Sequence, residues 1–417
     1  MGMTITEKIL ANHAGLKKVS PGDIVTVKVD YAMQMDAVFA DKYIGELKKV
    51  WDPNRVLIVL DHVAPAANVV MAEAHRAART FAKKFGIKHF YDLGRQGISH
   101  EVAAEKGFLR PGELYACADS HTATSGAFNC AGRGVGQVEM LHVMAKGETW
   151  FPVVDTLRFR IVGKMPEMVM SKDVILHIAG KYGTEVAANK NVEFTGPTVS
   201  DWSVSSRVTV ANMAAEISAD FCLFEADQKV IDYVRSKTNE PFTPVGPDAD
   251  AKYLETYEVD ASKIEPQVAL PHSPGNSRPI SESEGLPIDH VFLGTCTNGR
   301  FEDLAVAAQI LRGKKVHPDV RMVITPTTHE TYAHALDAGL IKVFIDAGAC
   351  VTNPTCGACD GGHLGLIAGG DRCISTGNRN FQGRMGSKDS IIYLASPATA
   401  AASAVTGKIT DPRQFRG

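Results

Sequence analysis

Cys296 lies in Gly294-Thr295-Cys296-Thr297-Asn298, directly after a short apolar run. Cys356 and Cys359 form a Cys-Gly-Ala-Cys pair 60 residues further on, within the Gly-rich stretch Pro354 to Gly362. Three thiolates can ligate three irons of a four-iron cube. The fourth iron, without a protein ligand, is then a Lewis acid able to draw hydroxide from a hydroxy acid. The residues that would serve such chemistry sit beside short apolar runs. Asp61-His62 follows Val56 to Leu60, Asp119-Ser120-His121-Thr122 follows Leu114 to Ala118, and His100 follows a Gly-rich turn from Gly94 to Gly97. Asn378-Arg379-Asn380 and Arg384 follow Cys373 to Thr376.

Each element also has a plainer explanation. An Asp-His dipeptide is commonly a surface or capping pair. Asp-Ser-His-Thr carries three residue types that cap helices. Asn378-Arg379 fits a turn with a surface ion pair. Cys356 and Cys359 could be a redox pair, or half of a zinc site completed by Cys350 and His363. The glycines between the thiols favour a loop that wraps a cluster over a helix-opening redox motif. Gly132-Arg133-Gly134-Val135-Gly136 is an incomplete nucleotide fingerprint and reads instead as close packing of a helix on a sheet.

These groups need a scaffold that ends many strands at one place. Val56 to Leu60 reads as a buried parallel strand. Residues 68–86 place Val70, Ala74, Ala77, Phe81 and Phe85 at helical spacing. Strands are predicted at 89–91 and 114–118, and a half-exposed strand at 156–162. A polar stretch follows at 236–250, with a loop or linker at Pro271 to Asn276. Strands at 291–293 and 321–325 alternate with helices at 301–312 and 328–339, and Ala395 to Gly407 reads as a closely packed helix. The expected organisation is α/β in three units, residues 1–154, 155–285 and 286–417, the last carrying the cysteines. Ligands in such sheets bind beyond the carboxyl ends of the strands.

Composition narrows the function classes. The chain has 417 residues, 45% hydrophobic and 22% charged, with a net charge of −3 and eight cysteines. No run is apolar enough for a membrane span, and no polybasic cluster points to nucleic acid or a lipid surface. Met1-Gly2 with Thr6 fits an acylation pattern only formally. With no secretory signal, a cytoplasmic compartment with free thiols is expected.

Taken together the motifs resemble the aconitase superfamily, and within it the stand-alone large subunits of the isopropylmalate dehydratase and homoaconitase type. Gly294 to Asn298 is similar to the first-ligand motif, with Thr295 in place of the usual serine. Pro354 to Cys359 is similar to the Cys-x-x-Cys loop. Asp119 to Thr122, Asn212-Met213-Ala214-Ala215-Glu216 and Asn378 to Arg384 resemble three further signatures, and the matches run in family order from 61 to 384.

The resemblance implies a fold of three α/β domains around one [4Fe-4S] cluster, without the swivelling fourth domain. Cys296, Cys356 and Cys359 would ligate that cluster and leave one iron without a protein ligand. Asp61 and His62 would serve the departing hydroxyl, His100 would pair with Asp119, and His121 with Glu216 would hold the water or hydroxyl. Arg379 and Arg384 would bind carboxylates, with Ser120 and Thr124 among the substrate contacts. Asn212, Asn298 and Asn378 would orient oxygens. The implied activity is a hydro-lyase acting on a branched 2-hydroxy dicarboxylic acid, most simply 3-isopropylmalate, with homocitrate-type and dimethylmalate- or methylmalate-type acids as alternatives. The base for the alpha proton would come from a small swivel-domain partner subunit. Met35 to Ala40 departs from the usual Asp-x-Thr pattern, and Val38 and Phe39 are expected to border the substrate there. An RNA-binding regulator formed by cluster loss is the alternative of another class. Net charge and the lack of basic clusters weigh against it.

Overall fold

The computed structural model describes residues 2–40, 44–45 and 47–415. Met1 of the acylation pattern, and Arg416 and Gly417 at the end of the third predicted unit, fall outside them.

Three largely parallel sheets make the body. The first orders its strands His89–Tyr91, Val56–Val59, Tyr31–Met35, Leu114–Cys117 and Ala131–Gly134, all parallel. Val56 to Leu60 are fully buried, as a strand covered on both faces requires. The second sheet orders Cys222–Phe224, Asn191–Thr195, Thr156–Val162 and Glu255–Asp260, again all parallel. The third has a parallel centre of Ile391–Ala395, Arg372–Ser375, His290–Leu293, Arg321–Ile324 and Cys350–Val351. Its edge is an antiparallel pair, Gln267–Ala269 with Ser277–Pro279. The Pro271–Asn276 segment, read from sequence as a loop or linker, connects these two strands. The third sheet therefore takes up residues from 267 onward.

Helices cover the sheets. Pro397–Thr406 packs on Phe301–Leu311; its Ala398, Ala400, Ala401, Ala402 and Ala404 are fully buried, and such small side chains allow close approach. Helix Val69–Phe85 is capped by the Asn68 side chain and closed by Gly86 in the left-handed region. Its buried face is Met71, Ala74, His75, Ala78, Phe81 and Ala82. The expected face was rotated, since Val70 is 67% exposed. A buried histidine, invisible to an apolar-periodicity count, explains the offset. No helix among the described residues is long and apolar enough to cross a membrane.

Gly132 and Gly134 let a helix pack on a sheet as expected, the helix being the short 3-10 turn Thr122–Phe128. Both glycines lie in strand Ala131–Gly134. A Cβ on Gly132 would lie 2.2 Å from Ser125 Oγ, and one on Gly134 2.3 Å from the Asp119 carbonyl. Glycine is required there so that the edge strand can lie against the Asp119–Ser125 turn.

Candidate active site

Cys296 follows strand His290–Leu293 through a turn in which Thr295 has φ 81°. A β-branched residue in that region is strained, and neighbours hold it. Thr295 Oγ1 accepts from the Thr297 amide at 3.1 Å. Thr376 Oγ1 accepts from Gly294 N at 3.0 Å and donates to Gly294 O at 3.1 Å. The Cys356–Cys359 loop follows strand Cys350–Val351. Gly357 has φ 60°, and a Cβ there would lie 2.6 Å from Phe292 Cζ, so this loop needs glycine between its thiols. The loop hangs on the end of the Val56–Val59 strand. The Cys356 amide donates to Asp61 O at 3.0 Å, and Thr355 Oγ1 donates to the same carbonyl at 2.7 Å.

Asn378 spans both loops. Its Nδ2 donates to Cys296 Sγ at 3.3 Å, and the Cys359 thiol reaches its Oδ1 at 4.0 Å. The three cysteines line one cleft with Asp61, His62, Ile98, His100, Asp119, His121 and Arg384. The cleft holds about 350 Å³ of empty space, open solvent included. Burial pushes all three thiols above the ordinary cysteine range, with Arg384 opposing it at Cys359. Binding of a cluster by these thiols would therefore release their protons.

Around the thiols lie two imidazole–carboxylate systems. Asp61 Oδ1 bonds His62 Nδ1 at 2.6 Å, and Asp61 Oδ2 accepts from the Ser99 amide at 3.2 Å. Burial works against charge on His62, but Asp61 and Asp36 outweigh it and raise the imidazole well above its usual range. In the second system Asp119 Oδ1 bonds His100 Nε2 at 2.9 Å and accepts from the His121 amide at 2.7 Å. Burial opposes charge on Asp119, yet His100 and His121 hold its carboxyl well below the usual range. His121 Nε2 meets Glu216 Oε1 at 3.0 Å. Burial pulls His121 down, and the bonds to Asp119 and Glu216 raise it overall.

The remaining candidate residues divide. Arg379 Nε lies 2.8 Å from Glu216 Oε1, and its Nη1 donates to Ser120 Oγ at 3.0 Å. Arg384 Nη2 reaches Cys359 Sγ at 4.0 Å, while its Nε is buried without a partner, as is His100 Nδ1. Asn212 Oδ1 accepts from Thr297 Oγ1 at 2.8 Å and from Asn378 Nδ2 at 3.3 Å. Its Nδ2 donates to Thr124 Oγ1 at 3.0 Å. Asn212 and Thr124 thus brace Asn378 from behind. Asn298 Nδ2 donates to Asp303 Oδ1 at 2.8 Å and to Thr209 Oγ1 at 3.3 Å, which ties it to the start of helix Phe301–Leu311; its Oδ1 is buried without a partner.

Val38 and Phe39 do not line the cleft as expected. Both are buried, and the Phe39 ring meets Phe81 edge-on at 5.5 Å. The sequence reading also missed two buried groups. Asp36 Oδ1 accepts from the His62 amide at 3.1 Å, and its Oδ2 accepts from the Val63 amide at 2.9 Å and meets His75 Nε2 at 3.3 Å. Burial opposes its charge, but His75 and His62 keep this carboxyl below the ordinary range. Lys172 is fully buried, and its Nζ donates to the carbonyls of Thr376 and Gly377. Burial lowers it to about 7, against the pull of Asp303, Asp173, Cys296 and Cys359. Charged residues inside otherwise helical or strand patterns leave no motif to read.

The donor set fits an iron–sulfur cluster. Three thiols converge from two loops beside an apolar wall, Ile98, and two unpartnered nitrogens, Nε of Arg384 and Nδ1 of His100. A zinc site is less well served. Ligand atoms of Asp61, His62 and Cys356 lie within 4.8 Å of one another, yet the Asp61 carboxylate is already engaged by His62 and Ser99. Neither exposed Cys350 nor His363 lines the cleft. A roomier cavity of about 1200 Å³ on the same measure lies behind Cys296, lined by Glu101, Tyr233, Arg300 and Phe301 among others. It contains no thiol, and Arg300 Nη1 is already shared between Glu101 Oε1 at 2.7 Å and Cys296 O at 3.2 Å.

Comparison with known proteins agrees. The model of the aconitase family (aconitate hydratase) matches residues 48–407. The chain belongs to the aconitase family. It is 48% identical to the 3-isopropylmalate dehydratase large subunit of Moorella thermoacetica, over 99% of both chains. It is 46% identical to the protein of the same name from Acetivibrio thermocellus, over the full length of both. Aconitase X of Thermococcus kodakaraensis, in its holo form, superimposes with a TM-score of 0.50 at 12% identity, covering 93% of this chain and 87% of that one. That likeness shows the fold alone and matches the expected α/β architecture. Membership of the aconitase family implies an iron–sulfur cluster, and the cleft between the two cysteine loops is where the thiols meet.

Proposed function

We propose that the chain is the large, catalytic subunit of a hydro-lyase that isomerises 3-isopropylmalate by dehydration and rehydration. The convergence of Cys296 with the Cys356–Cys359 loop, beside His62, His100, His121 and Arg384, carries this reading. Full-length identity to proteins named as 3-isopropylmalate dehydratase large subunits supports the substrate and the need for a small subunit. The three cysteines would hold one [4Fe-4S] cluster per chain. When bound, such a cluster with one iron free of protein ligands supplies a Lewis acid toward a carboxylate and its neighbouring hydroxyl.

The chain's own residues do the rest. Asp61 occupies Nδ1 of His62, so Nε2 is the nitrogen left to give a proton to the departing hydroxyl. His121, held between Asp119 and Glu216, keeps the released water for rehydration at the adjacent carbon. Arg384 and Arg379 offer planar donors to the two carboxylates. Glu216 and Ser120 fix Arg379 before substrate arrives, which lowers the ordering cost. The alpha proton has no obvious acceptor among these groups, and the partner subunit supplies one.

Anaerobic reconstitution with a candidate small subunit tests this. The mixture should hydrate the unsaturated isopropyl dicarboxylate, and the isolated chain should not. Cys356→Ser should lose the cluster's iron, whereas Cys222→Ser, in a strand outside the cleft, should retain it. Equal iron in both variants, or full activity without a partner, would overturn the reading.

A further inference from the structure

Lys172 has no role in the chemistry described above, yet it is fully buried, on a helix that packs against the Gln267–Ala269 and Ser277–Pro279 edge of the sheet that carries the cysteines. It lies in the first turn of helix Ser171–Tyr182. Its ammonium donates to the Thr376 carbonyl and, at 2.6 Å, to the Gly377 carbonyl. Those two carbonyls immediately precede Asn378 and Arg379. Thr376 also clamps Gly294 through its side chain, two residues before Cys296. One side chain thus grips the point from which the Cys296 turn and the Asn378–Arg379 loop both depart.

Its charge matters as much as its hydrogen bonds. No carboxylate accepts from the ammonium; its two acceptors are neutral carbonyls. Asp173 next to it is spent on the amides of Gln267 at 2.9 Å and Met170 at 2.7 Å. The charges of Asp303 and Asp173 favour the ammonium without a hydrogen bond to it, and sulfur charge on Cys296 and Cys359 adds to them. A lysine buried without a carboxylate partner is costly. Placing it within reach of the charge on Cys296 and Cys359 gives that cost a return. A cube held by three thiolates carries net negative charge, and each added electron deepens it. A cation in a low-dielectric surrounding stabilises the reduced state most, and the cluster's negative charge in turn favours the charged form of a lysine that burial lowers to about 7.

We propose that Lys172 is a positioning residue that serves as the internal counter-cation of the cysteine-held cluster, raising its reduction potential while locking the Asn378–Arg379 loop. The inference rests on the cluster assignment above. Absence of iron from the wild-type complex would defeat that assignment. Altered iron chemistry in variants of a loaded wild type is what tests Lys172.

The experiment compares Lys172→Arg, Lys172→Gln and Lys172→Met in the reconstituted complex, with the cluster's reduction midpoint followed by dye-mediated titration. Glutamine keeps a donor for the carbonyls but removes the charge. The expected result is a negative shift for Gln and Met. A tenfold fall in the reduced-to-oxidised ratio at fixed potential corresponds to about 59 mV for a one-electron couple. Arginine should stay near wild type. Loss of cluster loading in Gln and Met but not in Arg would show the same charge requirement at assembly and support the proposal. An unchanged midpoint in loaded Gln would overturn it. So would equal shifts in Arg and Gln, or failure of all three variants to fold and load, since shape rather than charge would then be the requirement.

Discussion

The two imidazole–carboxylate systems flanking the cysteines differ in the group they share: one centres on an imidazole, the other on a carboxylate. On the Val56–Val59 side one imidazole, His62, faces two carboxylates, with Asp61 Oδ1 at 2.6 Å and Asp36 Oδ1 at 3.7 Å from its Nδ1. On the Leu114–Cys117 side one carboxylate, Asp119, serves two imidazoles, with His100 Nε2 at 2.9 Å and His121 Nδ1 at 3.7 Å. Surplus negative charge keeps His62 protonated as a ready acid. On the other wall His100 and His121 keep Asp119 ionised, and Glu216 adds a second carboxylate at His121. The fold thus prepares an acid on one wall and a pair of water-holding imidazoles on the other, before substrate or partner arrives.

The largest expected effect is therefore at the shared carboxylate. Asp119→Asn unsettles both His100 and His121, and kcat should fall about 10⁴-fold, as when a tautomer-setting aspartate is neutralised. Iron content should remain at the wild-type level. His62→Gln removes a single acid and should cost roughly 10³-fold. The wild-type rate should also fall as pH rises through the elevated His62 pKa, because the proton to be donated is lost, and His62→Gln should flatten that alkaline limb. Steady-state hydration rates of the loaded complex from neutral to alkaline pH measure both. If His62→Gln is the more damaging of the two, the asymmetry is broken.

Much of this site was legible because its residues are neighbours in sequence or bear rare chemistry. The Cys296 turn, the Cys356–Cys359 loop, Asp61-His62 and Asp119 to His121 all announce themselves as short polar motifs after apolar strands. Strand alternation likewise marked the sheets, because buried parallel strands leave unbroken apolar runs such as Val56 to Leu60. What escaped is long-range and buried. Lys172 meets Thr376 across 204 residues, and Asp36 meets the His62 amide across 26. Neither pairing leaves a local pattern. The apolar count also turned helix Val69–Phe85 the wrong way, since His75 faces inward to bond Asp36. The family resemblance made Val38 and Phe39 look like substrate contacts, when Asp36 is the residue of that segment that touches His62.

Asp36 yields the subtlest test of the asymmetry, because it touches His62 only through charge and one backbone amide. Asp36→Asn leaves Asp61 to orient Nδ1, so the acid remains in place but less strongly held. Activity at neutral pH should drop only about tenfold, the scale of an outer-shell partner. The alkaline limb should move toward lower pH, because a negative charge that raised His62 has gone. Stability should fall by roughly 3 kcal/mol, since the amides of His62 and Val63 and the ring of His75 lose a buried charged acceptor. The sign with pH follows from a carboxyl held below its ordinary range. Its stabilisation is complete above the unfolded pKa of about 3.9 and disappears as pH falls through the lower folded value. The loss of thermal midpoint in Asp36→Asn should therefore be equal at pH 7 and pH 5, and shrink only below about pH 4. An alkaline limb that does not move would mean that Asp61 alone sets His62, and that the two walls differ less than their shared groups suggest.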